Sequence, residues 1–122
     1  MHHKEGNFWR IQACKNFGNV KKGDFGGLIQ KEENLSHEGI CWVKDSAKVW
    51  GNAKVCRGAK VCGNAQVWGN AQIYDSAYIS NHAKVYGDAK IHDAVFISDH
   101  AQVYGNAQIY DSAYISNHAK VW

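Results

Sequence analysis

Three histidines, His82, His100 and His118, are set at intervals of eighteen residues. Imidazole is a common metal ligand, so this spacing raises metal binding first. Asp99 is the one carboxylate beside the run, too little to orient three ring ligands. His82, His100 and His118 therefore stay as candidate metal ligands, and no metal centre or cofactor is expected. The four cysteines, Cys14, Cys41, Cys56 and Cys62, have no CxxC spacing. They read as reduced thiols of a cytoplasmic protein. Lys48, Lys54, Arg57 and Lys60 fall in a stretch, residues 47–64, that holds no acid. Such a basic collar with Trp50 nearby suits phosphate neutralisation and base stacking. The net charge of +3 is slight for a nucleic-acid binder. A solvated ring that protects sheet edges is the preferred reading of the collar.

The elements that must carry these residues follow from a shorter period. Every sixth residue from Val43 to Val121 is Val or Ile, fourteen positions without a miss. A second register, residues 47 to 119, is Ala throughout except Val95. Two residues after each Val or Ile stands Gly, Asp or Asn, which tolerate a left-handed backbone at a turn. Arg57 is the one departure, and Gly58 follows it. A period of six fits neither a helix at 3.6 nor a strand running past its turns. It fits a strand–turn unit repeated as a solenoid. The stretch AQIYDSAYISNHAKV at residues 71–85 is repeated letter for letter at 107–121. Copying a unit that already stacks on its neighbours is a simple way to lengthen such an array.

The hexads A-K-V-W-G-N, A-Q-V-W-G-N and A-Q-I-Y-D-S resemble the hexapeptide-repeat, left-handed parallel β-helix superfamily. The lead-in VKKGDFGGLIQKEENLSHEG, residues 20–39, is similar to small repeat proteins of bacteria, phages and prophages. The resemblance implies an all-β fold: a left-handed triangular solenoid of about four and a half coils over residues 41–122, with residues 1–40 as a β/loop cap. It also implies three hexads to a coil, which sorts the outward residues into columns. Trp50, Trp68, Tyr86, Tyr104 and Trp122 then form an aromatic ladder on one face, beside alternating Lys and Gln. Cys56, Tyr74, His92 and Tyr110 share a column on the second face. Tyr78, Phe96 and Tyr114 form a second aromatic face on the third, with His82, His100 and His118 at its corner. Cys56 and Cys62 fall on different faces, so they should stay unpaired.

In the cap, FWRIQACKNF reads as a strand, NFGNVKKGDFGG as a turn-rich connection and LIQKEENLSHEG as a loop. Phe8, Ile11, Phe17, Phe25 and Leu28 are expected to cover the first coil. The last coil has no such cover, which suggests a homo-oligomer through that end or through an aromatic face. No apolar run approaches the length of a membrane span and no leader pattern is present, so a cytoplasmic location in a bacterial host cell is expected, with no membrane partner.

The best-known superfamily members are acyltransferases, with a catalytic histidine on a projecting loop and the acyl donor bound between subunits. Here the hexads run without a loop insertion, and one uninterrupted prism offers no convergent pocket. Catalysis is therefore not expected. Ice binding by threonine arrays is excluded, because the chain has no threonine. The favoured expectation is a non-catalytic protein of phage or mobile-element type that docks on a host macromolecule, protein or nucleoprotein, and blocks a bacterial defence system in the manner of an anti-CRISPR protein. An acyltransferase-like or zinc-dependent enzyme is the alternative, and a structural or assembly protein the second.

Overall fold

Alanine and β-branched residues repeating every six positions leave a narrow interior, and the chain closes around it as a triangular parallel β-solenoid of about five turns. The structure is a computed structural model. It describes residues 2–122, apart from the side chains of residues 2–5, 37 and 38. Three sheets run along the axis. Strands Lys48–Val49, Gln66–Val67, Lys84–Val85, Gln102–Val103 and Lys120–Val121 make face one. Strands Lys54–Arg57, Gln72–Ile73, Lys90–Ile91 and Gln108–Ile109 belong to face two. Face three is Trp42–Val43, Lys60–Val61, Tyr78–Ile79, Phe96–Ile97 and Tyr114–Ile115. All pairing within these sets is parallel, and the partners are eighteen residues apart throughout, as in Val67 with Val85 and Val85 with Val103.

Burial follows the two sequence registers. Val49, Val55, Val61, Val67, Ile73, Ile79, Val85, Ile91, Ile97 and Val103 are fully enclosed, as are most of the alanines between them. Each such Val or Ile contributes roughly 1.5–3 kcal/mol relative to exposure. Alanine at the other register lets the three faces approach one another closely.

The corners carry the left-handed residues. Asp75, Asn81, Asp93, Asp99, Asp111 and Asn117 all have φ between 56° and 65°. Their side chains serve the next coil: Asp75 Oδ2 accepts the Asp93 N–H at 3.2 Å, and Asp93 Oδ2 accepts that of Asp111 at 3.0 Å. Elsewhere the corner is glycine for want of space: a Cβ at Gly69, which has φ 71°, would lie 2.9 Å from the Gly87 nitrogen. Arg57 adopts φ 60° as well, and its guanidinium reaches Asp75 of the next coil. A left-handed conformation costs such a residue roughly 1–2 kcal/mol.

The N-terminal segment is more regular than its sequence suggests. β1 (His2–Glu5) and β2 (Phe8–Gln12) form an antiparallel hairpin, β2 pairs antiparallel with β3 (Phe25–Ile29), and β3 joins face one in parallel with Lys48–Val49. β4 (Leu35–Gly39) adds to face two beside Lys54–Arg57. The stretch read as a loop thus supplies parts of two strands and a short 3-10 turn, Glu32–Asn34. Asn34 makes this possible. It is completely buried, its Oδ1 accepts the N–H groups of Gln30 and Lys31, and its Nδ2 donates to the carbonyls of Gly51 and Ala53.

Of the expected covering residues, Ile11 and Leu28 are buried and Phe17 packs edge-on against Trp42, with ring centroids 5.3 Å apart. Phe25 does not cover the core: it is 56 % exposed, and Ile29, from the same strand, is buried in the interior instead. Strand alternation explains the exchange, since residues four apart on a strand share a face only where the pairing is regular, and the β2–β3 register shifts between Arg10 and Gln12.

Candidate functional site

The stacking of identical coils turns each outward column into a ladder. On face one Trp50, Trp68, Tyr86, Tyr104 and Trp122 lie nearly parallel, with centroids 4.9, 4.4, 5.2 and 5.8 Å apart. Phe8 of the cap extends the row by an edge-on contact with Trp50. Rings stacked in this way cover one another's faces. Trp68, Tyr86 and Tyr104 therefore present edges, not faces, to anything docking on face one. Tyr78, Phe96 and Tyr114 stack likewise on face three, and His82, His100 and His118 at the corner, at 5.0 and 5.1 Å. The three corner histidines are exposed.

Face two is different. Its column brings together Tyr74, His92 and Tyr110, with the imidazole stacked between the two phenol rings at 5.0 and 5.6 Å. The corner beside it supplies charge. His92 Nδ1 lies 3.2 Å from Asp93 Oδ2 and 3.9 Å from Asp75 Oδ2. Arg57, one coil earlier, donates from Nη1 to Asp75 Oδ1 at 2.8 Å, with its guanidinium 5.9 Å from the centre of the Tyr74 ring. The hydrogen bond from Arg57 holds the Asp75 carboxyl below its ordinary value. The chain runs cation, carboxylate, imidazole, carboxylate, assembled from three successive coils.

Asp75, His92 and Asp93 are the His, Cys and carboxylate group whose donor atoms all lie within 4.8 Å of one another among the described residues. Both Asp75 oxygens and Asp93 Oδ2 already accept hydrogen bonds, from Arg57, the Asp93 N–H and the Asp111 N–H in turn. A carboxylate beside Nδ1 favours the tautomer with its hydrogen there, which leaves Nε2 as a proton acceptor. Its side chain is 26 % exposed, held by packing yet reachable.

The remaining sequence candidates are dispersed. Lys48, Lys54 and Lys60 point from three different faces of one coil, with Lys48 Nζ 5.4 Å from the Phe8 ring centre. Cys41 and Cys62 are buried, and burial, with Cys56 nearby, pushes the Cys41 thiol up to about 11. The Cys56 thiol is raised as well, chiefly by burial. The sequence singled out the Tyr74–His92–Tyr110 column but not the tie between His92 and Asp75 and Asp93. The visible signal was Asp at 75, 93 and 111, the same eighteen-residue interval, next to His92.

No protein-family model matches the chain. A similar protein is one named uncharacterized acetyltransferase YdcK, from Escherichia coli strain K12, 33 % identical over 73 residues. The match takes in 59 % of this chain and only 22 % of that protein's length. With the parallel solenoid it supports a hexapeptide-repeat β-helix. It also overturns the expectation that the chain is no enzyme, since the relative carries an enzyme's name. That expectation treated the prism as featureless because its hexads have no inserted loop.

Proposed function

We propose that the chain is the β-helical part of an acyltransferase-type protein in which His92 is the proton acceptor for an acetyl transfer. The observation that supports this most is His92 Nδ1 beside the Asp93 and Asp75 carboxylates, in a chain similar to a protein named an acetyltransferase. Nε2 takes the proton of an acceptor hydroxyl or amine as its oxygen or nitrogen bonds to the acyl carbon of a thioester donor. The C–S bond then breaks, and the leaving thiolate recovers that proton from the imidazolium. Asp93 and Asp75 hold the ring and stabilise its transient charge.

Thiol release from acetyl-coenzyme A, measured against a panel of amine and hydroxyl acceptors, tests the reading. Turnover by the native chain and its loss in His92→Asn is the expected result. No turnover with any acceptor, or full activity in the variant, would sink it.

A second reading draws on the face-one ladder: docking on a macromolecule through ring edges and the flanking lysines. Aromatic residues often carry interface energy. The narrower version, a phage-type inhibitor of a host defence complex, rests on the sequence resemblance alone. A defined defence nuclease retained by the native chain and lost with Trp50→Ala and Trp68→Ala together would favour it.

A further inference from the structure

Face three carries an aromatic column with one interruption. Reading along the axis, the outward residues before each inward Val or Ile are Trp42, Lys60, Tyr78, Phe96 and Tyr114. At Lys60 the ring is missing, and that gap lies beneath the cap segment Phe17–Phe25. The result is a groove of about 360 Å³ whose walls include Phe25, Ile40 and Trp42 and whose polar lining includes Lys44, Lys60 and Tyr78. Phe25 and Ile40 are among the few large apolar side chains left open to solvent, at 56 % and 43 %. An aromatic residue at position 60 would continue the stack and fill this space.

We propose that the groove binds a small organic anion with a flat apolar body, such as an aryl-substituted carboxylate. Burial of the body against Phe25, Ile40 and Trp42 removes the apolar surface that the cap leaves open. Lys44 and Lys60 supply the charge: neither ammonium has a carboxylate partner among the described residues. The groove's acid, Asp24, is turned to its own backbone, where Oδ2 accepts the Lys21 N–H at 2.9 Å. Tyr78 adds an oriented donor. The Cys62 thiol donates to its oxygen at 3.2 Å, which leaves the phenol hydrogen available to a ligand oxygen. Two cations and one neutral donor around an apolar slot match a carboxylate better than a neutral ligand.

The site lies on another face from His92, and its test reads binding alone, so it stands or falls independently of the acyl-transfer reading. Calorimetric titration of the full chain with 3-phenylpropionate, accompanied by nuclear magnetic resonance of the Trp42 indole N–H, is the experiment. Saturable binding that shifts the Trp42 signal is expected. Both 3-phenylpropanol, which keeps the body without the charge, and inorganic phosphate, which keeps charge without the body, should bind at least about tenfold more weakly. The pair Lys44→Met and Lys60→Met should lower the affinity by about tenfold or more, and Tyr78→Phe by less. Absence of saturable binding at millimolar concentration, equal binding of the alcohol, or unchanged affinity in the lysine pair would each overturn the proposal.

Discussion

Face one and face two are cut from the same hexads, yet their outward columns do opposite things. On face one five aromatic rings repeat and stack, so each resembles its neighbour and none is set apart. On face two the column reads Cys56, Tyr74, His92, Tyr110, and the one imidazole sits where two coils offer it carboxylates. The difference teaches where to look in a repeat protein. Regular columns hold the array together, and the polar contacts behind the proposed sites gather where a column breaks rank. The same holds at Lys60 on face three and at Arg57, the only corner residue in the repeat that is neither Gly, Asp nor Asn.

The widest separation between the two faces should come from activity. His92→Asn is expected to reduce acetyl transfer by about 10²–10⁴-fold, the range for losing a positioned acid–base group. Tyr104→Ala on face one should change it by less than about threefold, and steady-state rates of the two variants check the contrast.

Next comes stability at the junction of cap and coils. Asn34→Ala strips partners from two N–H groups and two carbonyls and should cost about 3 kcal/mol in urea unfolding. Asn52→Ala, at an exposed corner where its side chain meets Lys31 and Asn70, should stay within about 0.5 kcal/mol. A similar loss for both would mean that the cap adds nothing specific.

Smaller effects test whether interior rows are equivalent. Ile73→Val and Ile91→Val, both fully enclosed, should each cost about 1 kcal/mol, and Ile115→Val, which is only partly buried, measurably less. Urea midpoints at constant slope are the measurement.

The smallest effect is on pH. Asp75 is held below the ordinary carboxylate value by Arg57, so its contribution is present above that ordinary value and disappears as pH falls through the lowered one. Melting temperatures taken between neutral pH and strong acid should show this loss in the native chain. Arg57→Gln should flatten that part of the profile.

Much of this architecture could be read from the sequence because inward positions obey one rule. Val or Ile at every sixth residue locates each strand, and the eighteen-residue interval, taken with the hexapeptide resemblance, places the residues on their faces as found. The cap resisted such reading. Leu35–Gly39 has no hexad, and its strand forms because buried Asn34 satisfies the backbone of the turn before it, a role one asparagine letter cannot announce. Phe25 looked like core by its type, but a shifted register turned it outward. The tie between His92 and its carboxylates was hidden for another reason: it depends on corner geometry, with Asp75 reaching up one coil while Asp93 sits next in sequence.

The uniform eighteen-residue pairing also gives the molecule a kind of vernier. Adding or removing eighteen residues between coils would shift the two ends by one strand spacing, about 4.8 Å, and leave every column in line. Adding six would instead rotate everything downstream by one face, so that Tyr110 would leave the column of His92 and a face-one residue would take its place. Length can thus drift in whole coils without disturbing a site built sideways across neighbours, whereas a single extra hexad would take it apart.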